Sequence, residues 1–282
     1  MLKSIFVSAY MMAAMIITVF AVRKLWISGD VITWGGVILT TAPFLVVLGW
    51  LMVLRNTART SARFPSLIVL GIAGVTAATW GYTQGGSKLA LELALAGLVA
   101  YLVYAYWYSS FRHRHSRQIE VGRFLPEFEL KDISGYSVSS ASLTQRPTIW
   151  IFYRGNWCPL CMAQIKELVA QYHQLQALGV RVALISPQPH EFTVGLAKKF
   201  DVAFHFLTDE NNQAARVLGI ANPHGLPMGM QLLGYASETV LPTVIITDTG
   251  GRILWKHETD NYRVRPEPET YLAVLREHHV VA

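Results

Sequence analysis

Cysteine is nearly absent from this sequence. The 282 residues contain two, Cys158 and Cys161, and neither lies in the first 111 residues. Histidine is missing from that stretch too, since all nine histidines follow Phe111. A thiol relay or a haem within the stretch would need cysteines or axial histidines there, so neither is expected. A zinc site is disfavoured for the whole chain, because zinc needs about four ligands and no second cysteine pair exists.

Acidic residues are also scarce at the start of the chain. Residues 1–111 carry seven Lys or Arg and two Asp or Glu, a net charge of +5. Residues 112–282 carry 17 and 16, a net charge of +1. Nucleic-acid binding needs clustered positive charge on a folded domain. The near balance of the second part therefore predicts no nucleic-acid partner.

Four long apolar runs fill the first part of the chain. A helix of roughly 20 apolar residues crosses the hydrocarbon core of a bilayer, and aromatic side chains near the ends of the runs suit its interface. We therefore expect a membrane region of about four helices in residues 1–111, with the lipid bilayer as its partner. The first run is interpreted as a retained helix, because no clear cleavage site follows it. The runs are residues 5–22, 31–54, 66–82 and 89–108.

Lysine and arginine are unevenly divided between the ends of these runs. Four spans put both termini on one side, where seven basic residues lie, against three on the other. We expect an integral protein of a bacterial inner membrane, and the positive-inside rule puts the C-terminal domain in the cytoplasm. The seven are Lys3, Arg55, Arg59, Arg63, Arg112, Arg114 and Arg117, and the three are Arg23, Lys24 and Lys88.

The second part of the chain alternates strand and helix patterns. This order, which ends in a hairpin, predicts an α/β three-layer domain over residues 124–282, after a basic juxtamembrane linker at 112–123. Helices are expected at 162–178, 192–200, 212–218 and 266–277, and strands at 148–153, 180–185 and 203–207. An edge hairpin is expected from residue 126 and a second hairpin over 243–257.

The two cysteines form a C-x-x-C motif between a strand and a helix, which is typical of a redox site. Pro159 suits the first helical position, which puts Cys158 at the cap and Cys161 one turn in. A helix N-terminus favours the thiolate, and Arg154 adds a nearby cation. We expect Cys158 to be the exposed nucleophile and Cys161 the resolving thiol, with their disulfide as the redox group and no bound cofactor. An inert structural disulfide is less favoured, because so small a loop adds little stability.

The stretch Phe-Tyr-Arg-Gly-x-Trp-Cys-Pro-x-Cys resembles the peroxiredoxin-like branch of the alkyl hydroperoxide reductase/thiol-specific antioxidant family. The resemblance covers about residues 124–275 and implies a thioredoxin-like fold with thiol-dependent redox chemistry. The first 111 residues have no counterpart in it. Similar segments are Ile185-Ser186-Pro187-Gln188, Phe206-Leu207-Thr208-Asp209, Leu241-Pro242-Thr243, Asp260-Asn261-Tyr262 and Arg265-Pro266-Glu267-Pro268.

Three positions depart from typical peroxiredoxins. Their peroxidatic cysteine aligns with Cys161, but Cys158 stands in place of a threonine and Arg154 in place of a proline. Their peroxide-binding arginine aligns with Pro242. These departures favour a reaction like that of thioredoxin, whose attacking cysteine follows a tryptophan as Cys158 follows Trp157.

Thioredoxin-like domains also place a cis-proline beside the cysteines. A proline at a strand start is ordinarily unremarkable, but together with the C-x-x-C it leads us to expect a cis Pro242 that, with Thr243, orients a substrate chain. His190 follows the second buried strand and is a weaker candidate for approach to the thiols.

Three hypotheses follow. The leading one is a membrane-anchored thiol–disulfide oxidoreductase that acts on a disulfide-bearing protein and is served by a thiol reductant. The second is a thiol peroxidase in which Cys161 attacks a peroxide and Cys158 resolves. The third is a non-catalytic membrane redox sensor or assembly module.

Overall fold

The computed structural model describes residues 1–111 and 114–280, and the chain divides into two compact units. One unit contains residues 2–54 and 60–110. The other contains residues 55–59 and the chain from Phe111 onward. Arg112, which was counted in the charge comparison above, lies outside the described residues.

The first unit consists of four helices that are long and apolar enough to cross a membrane. Each corresponds to one of the four apolar runs, so the predicted helices are confirmed, while their insertion into a bilayer stays a prediction. They are α1 (Leu2–Ser28), α2 (Val31–Leu54), α3 (Pro65–Thr83) and α4 (Lys88–Val103), which continues as a π-helical turn over Tyr104–Tyr108.

Small residues allow the helices of this unit to approach closely. A Cβ built on Gly36 would lie 2.5 Å from the carbonyl oxygen of Gly74, so α2 and α3 nearly touch through their backbones. The hydroxyl of Thr18 donates to that of Thr41 at 2.7 Å and joins α1 to α2. Glycine contacts and hydroxyl hydrogen bonds of this kind are typical of helices that pack within a bilayer.

The second unit is built on a seven-stranded mixed sheet of thioredoxin-like α/β fold, in the order β2-β1-β5-β4-β3-β8-β9. The central strands β3, β4 and β5 are parallel, and β8 runs antiparallel to β3. The strands are β1 (Glu129–Lys131), β2 (Ser137–Ser139), β3 (Thr148–Phe152), β4 (Arg181–Ser186), β5 (His205–Thr208), β8 (Thr243–Thr247) and β9 (Ile253–Glu258). A separate pair is formed by β6 (Ala221–Asn222) and β7 (Thr239–Val240).

Helices and short turns connect these strands. Two 3-10 turns, over Glu210–Asn212 and Met230–Leu233, occur in the loops that follow β5 and β6. The helices are α5 (Ser140–Leu143), α6 (Pro159–Ala170), α7 (Tyr172–Ala177), α8 (His190–Phe200), α9 (Gln213–Val217) and α10 (Pro268–Glu277).

The core of this unit follows from the two-residue alternation of its strands. Trp150 and Phe152 of β3 point to one face and pack in a single buried cluster with residues of α9 and the edge hairpin. Phe128 meets both rings edge-on at 5.8 and 6.2 Å between centroids. Because every residue of β3 is buried, the loop that follows it begins in the interior of the domain.

The edge hairpin, the hairpin over 243–257 and the three parallel strands are confirmed. Two helix predictions were wrong in detail. The helix predicted over 162–178 starts at Pro159, in agreement with the cap predicted at Cys158, but it breaks at Gln171, whose φ of −98° and ψ of 10° leave the helical region. The amide of Gln171 donates to Glu269 at 3.0 Å, which joins the break to the closing helix. That closing helix has Pro268, not Pro266, at its first turn.

Candidate functional site

Both cysteines lie at the start of α6, directly beyond the C-terminal end of the central strand β3. Cys158 is the N-cap residue, Pro159 begins the helix and Cys161 lies in its first turn, as the sequence predicts. The N–H of Cys158 donates to the carbonyl of Gly155 at 3.2 Å, and its own carbonyl accepts from Met162 at 3.1 Å. The local sequence therefore positions both thiols at a helix N-terminus, where the peptide dipoles favour an anion.

The two thiols are buried, and no disulfide joins them in this structure. The exposed fraction is 2% for Cys158 and 0% for Cys161. The expectation that Cys158 is exposed was therefore wrong. Buried side chains flank the thiol pair: Arg265, from the loop that follows β9, contacts Cys161, and Arg154 in the loop before Cys158 has its guanidinium 5.5 Å from the Tyr262 ring.

Arg265 is the cation in direct contact with a thiol. Its Nη2 lies 3.5 Å from Sγ of Cys161, and its Nη1 donates to Oε1 of Gln164 at 3.2 Å. Gln164 is one turn beyond Cys161 on α6 and donates its amide to the hydroxyl of Tyr271 at 3.0 Å. All four side chains are buried. A chain of hydrogen bonds thus runs from α10 through Gln164 to the guanidinium on Cys161.

This environment shifts the pKa values of the two thiols in opposite directions. For Cys161, burial raises the pKa, but a hydrogen bond from Cys158 and the charges of Arg265 and Arg154 outweigh it and lower the pKa to about 5. For Cys158, the hydrogen bond to Cys161 and burial raise the pKa well above its ordinary value. The direct guanidinium contact is on Cys161, so the geometry and the pKa shifts both favour Cys161 as the thiolate and Cys158 as the proton donor to it.

Arg154 lies on the other side of the pair. Its side chain is buried, its Nη2 donates to the carbonyl of Gly225 at 2.6 Å, and its guanidinium stacks 4.6 Å from the Trp157 ring. Its charge lowers the pKa of both cysteines. The predicted role of Arg154 as a nearby cation agrees with this arrangement, and Trp157 is the surface against which it packs.

The loop between β3 and α6 is held in place by side chains from elsewhere in the domain. Gly155 has a φ of +143°, and a Cβ there would lie 2.6 Å from the indole nitrogen of Trp157, so only glycine fits. The N–H of Asn156 donates to Oε1 of Gln188 at 2.7 Å. Its side-chain oxygen accepts from the hydroxyl of Tyr235 at 2.5 Å.

Pro242 and Thr243 do not have the geometry predicted for them. No cis peptide bond occurs among the described residues, which include Pro242, so the expected cis-proline was wrong. The Pro242 carbonyl instead accepts from Nη1 of Arg114 at 3.0 Å, and the Thr243 hydroxyl accepts from Nη2 of the same guanidinium. Arg114 also pairs with the buried carboxylate of Glu258 at 3.8 Å. The backbone that would orient a substrate chain is thus bonded within the domain.

His190 lies apart from this thiol chemistry. Its Nδ1 is 3.1 Å from the Thr208 hydroxyl, and both line a half-open pocket of about 560 Å³ beyond the ends of β4 and β5. Gln188 forms part of the wall of the same pocket. Within residues 1–111 and 114–280, no group of three or more His, Cys, Asp or Glu is arranged to hold a metal ion.

Sequence reasoning left Arg265, Gln164 and Gln188 without a role. Arg265 and Cys161 are 104 residues apart, so no local spacing links them. The peroxide-binding arginine of typical peroxiredoxins aligns with Pro242, which favoured a reaction like that of thioredoxin, but the structure brings Arg265 to Cys161 from the loop after β9. The only signal for Arg265 and Gln188 was that both fall in segments similar to the family.

Comparison with known proteins gives one family. Residues 121–256 match the AhpC/TSA family. Peroxiredoxin Q of Sedum lineare is 29% identical over 103 residues, which cover 36% of this chain and 55% of that protein. Peroxiredoxin Bcp of Escherichia coli K12 is 24% identical over 160 residues, 57% of this chain and 97% of that protein. The chain spans about half the length of the first of these curated relatives.

Solved structures give matches of the same kind. Peroxidoxin BcpB of Mycobacterium tuberculosis has a TM-score of 0.47 and 18% identity, covering 56% of this chain and 97% of that one. Enterococcus faecalis AhpC has a TM-score of 0.47 and 20% identity, covering 57% and 93%. The chain is thus similar to the AhpC/TSA family over residues 121–256, and its own sheet order gives the second unit a thioredoxin-like fold.

Proposed function

We propose that this protein is a thiol peroxidase anchored to a membrane by its four N-terminal helices. Cys161 is the peroxidatic cysteine and Cys158 the resolving cysteine. The observation that carries the proposal is the Arg265 guanidinium 3.5 Å from Sγ of Cys161. A thiolate is the nucleophile in peroxide reduction, and a cation in contact with it keeps it ionised at neutral pH.

The reaction proceeds in three steps: oxidation of Cys161, resolution by Cys158 and reduction of the disulfide. The Cys161 thiolate attacks one peroxide oxygen, the O–O bond breaks, and the leaving oxygen takes a proton, so a sulfenic acid and an alcohol or water form. The Cys158 thiol then attacks the Cys161 sulfur and expels water, which leaves a disulfide. Two equivalents of a thiol reductant restore the dithiol and leave as the oxidised disulfide. No metal or bound cofactor takes part in these steps.

Burial of the site supports a small oxidant. Thiols exposed by only 2% and 0% are accessible to hydrogen peroxide or a slender hydroperoxide more readily than to a protein disulfide. The raised pKa of Cys158 also makes it a poor first nucleophile. Arginines around the thiolate favour charge development on the peroxide oxygens as the O–O bond breaks.

A second candidate is thiol–disulfide exchange with Cys158 as nucleophile. It is favoured by the position of Cys158 at the N-cap of α6, immediately after Trp157. Against it stand the burial of Cys158 and the bonding of the Pro242 carbonyl to Arg114. We therefore place it second.

The two candidates are separated by oxidising single-cysteine variants of the full chain in detergent and mapping the product by mass spectrometry. For the peroxidase, hydrogen peroxide adds one oxygen to Cys161 in Cys158→Ser, whereas Cys161→Ser does not react at a comparable rate. Rapid peroxide oxidation of Cys158 in Cys161→Ser, with an inert Cys161 in the other variant, would reverse the assignment.

Location is part of the same proposal. We propose that the helices cross a bilayer and that the redox domain faces the cytoplasm, where thiol reductants are maintained. The excess of Lys and Arg on that side of the four runs supports this orientation. Labelling of a single cysteine placed at Glu127, in a variant without Cys158 and Cys161, tests it: a cytoplasmic domain reacts with a membrane-impermeant maleimide only after the cells are opened.

A further inference from the structure

Gln188 makes three side-chain hydrogen bonds to residues around the thiol pair, although it contacts neither thiol in the hydrogen bonds of the described residues. It follows β4, is 2% exposed, and uses its whole amide within the domain. Its Oε1 accepts from the N–H of Asn156 at 2.7 Å. Its Nε2 donates to the hydroxyls of Tyr153 at 3.2 Å and Thr193 at 3.1 Å. One side chain therefore connects the residue after β3, the loop between β3 and α6, and α8.

The loop that Gln188 holds determines where Cys158 lies. Asn156 is two residues before Cys158, and Gly155, on its other side, accepts the hydrogen bond from the N–H of Cys158. Apart from Gln188, the loop has a second tether, from the hydroxyl of Tyr235 to the Asn156 side chain. Both tethers act on the segment that carries the resolving thiol.

Gln188 also contacts the surroundings of the peroxidatic thiol. Tyr153, which accepts one of its hydrogen bonds, is fully buried, and its pKa is raised first by burial and then by the charge of Cys161. Tyr153 therefore lies close enough to Cys161 to sense its charge. Through Tyr153 and Asn156, Gln188 joins the residue after β3 to the chain segment that carries Cys158.

We propose that Gln188 is a positioning residue for the resolution step, a role that rests on the peroxidase function proposed above. After oxidation, the Cys161 sulfenic acid has two fates. Attack by Cys158 forms the disulfide and releases water, whereas a second peroxide adds another oxygen to give the sulfinic acid and releases water. Because attack needs close alignment of the two sulfurs, Gln188 favours the disulfide over the sulfinic acid.

The test measures the partition between these two products in the full chain. The variant Gln188→Leu replaces the amide by an apolar side chain of similar size and therefore removes all three side-chain hydrogen bonds. A small displacement of a reacting group can slow a step by up to about a hundred-fold, so we expect resolution to slow by about ten-fold. The ratio of sulfinic acid to disulfide at fixed peroxide, read by mass spectrometry, should rise by the same factor of about ten.

Two further variants make the result specific. Tyr235→Phe removes the other tether of the loop and should raise the ratio in the same direction but less. Thr193→Val removes only the bond from Gln188 to α8 and should leave the ratio unchanged. If Gln188→Leu does not fold, which circular dichroism shows, the more flexible Gln188→Met takes its place, with the same expected rise in the ratio.

Failure of this inference differs from failure of the peroxidase proposal. If the unaltered chain forms neither sulfenic acid nor disulfide with peroxide, the peroxidase proposal is wrong. If it does form them, and folded Gln188→Leu and Tyr235→Phe give the same product ratio as the unaltered chain, the positioning role of Gln188 is overturned. An equal increase in Thr193→Val would also overturn it, since a general loosening of the domain would then explain the ratio.

Discussion

Replacing Arg265 by methionine is the perturbation whose effect can be worked out most fully. At the observed 3.5 Å, an effective dielectric constant of about 20 gives an attraction of about 5 kcal/mol between two full charges. One pKa unit corresponds to about 1.4 kcal/mol. The guanidinium charge is spread over three nitrogens and Arg154 remains in the variant, so we expect the loss of roughly half of that attraction. This loss corresponds to a rise in the Cys161 pKa of about 2 units.

The sign of the pH dependence follows from the lowered pKa. A thiol with a pKa of about 5 is thiolate throughout the neutral range and loses reactivity only as the pH falls through that value. In Arg265→Met the pKa is expected at about 7, so at pH about 6 the thiolate fraction falls from about nine-tenths to about one-tenth. The rate with peroxide should therefore drop about ten-fold at that pH and change much less at pH about 8.5.

The assay is the second-order rate constant for hydrogen peroxide, measured by stopped-flow tryptophan fluorescence between pH 4.5 and 9 in a Cys158→Ser background. Serine at 158 retains a hydroxyl that donates to the thiolate, so the midpoint reports Cys161. Arg265→Lys should keep most of the shift, and Arg276→Met, an exposed arginine of α10, should change nothing. A midpoint in Arg265→Met that stays within about 0.3 units of the parent would refute the electrostatic role of Arg265.

Three further predictions concern the supports of the site. Gln164→Leu removes the hydrogen bond that orients Arg265 and should raise the same midpoint by less than Arg265→Met does, about 1 unit, in the same stopped-flow assay. Gly155→Ala forces a side chain into a φ of +143° against the neighbouring indole and should lower the unfolding free energy by about 1–3 kcal/mol. Its control, Gly195→Ala on an open face of α8, should raise the unfolding free energy by about 0.5–1 kcal/mol, and equal effects in the two would contradict the geometry. Arg114→Met leaves a buried carboxylate with one cation fewer and should cost about 2–3 kcal/mol in denaturant unfolding; no change would show that the buried pair adds nothing.

Local pattern was sufficient for much of the fold. The strands over 148–152 and 243–247 are continuous runs of β-branched and aromatic residues, and both lie where the pattern predicts them. The apolar spacing predicted this helical region only from residue 162, and it was Pro159 after Cys158 that predicted the observed start of α6. The break at Gln171 was missed because the apolar spacing continues across it, and the contact that accompanies the break comes from the closing helix.

The site was less predictable, because its properties come from long-range contacts. The charge on Cys161 depends on Arg265, which is 104 residues away in the sequence, and the burial of Cys158 exists only once the domain has folded. The contacts of Gln188 were hidden for a related reason: Asn156 is 32 residues away, and a hydrogen bond between a strand end and another loop leaves no periodic signal. The cis-proline predicted at Pro242 was wrong although its local context suits one. The contact made there, from Arg114 to the Pro242 carbonyl, is not visible in the local sequence.

The most direct test of the account compares two oxidants on the reduced full-length chain at neutral pH. Stopped-flow fluorescence gives the rate constants for hydrogen peroxide and for glutathione disulfide, each with Cys161→Ser as control. A buried thiolate beside Arg265 predicts that peroxide reacts at least about ten-fold faster, a difference of about 1.4 kcal/mol in activation free energy, and that Cys161→Ser abolishes this reaction. Faster reaction with the disulfide, retained in Cys161→Ser, would contradict the account and identify Cys158 as the nucleophile of a thioredoxin-type exchange.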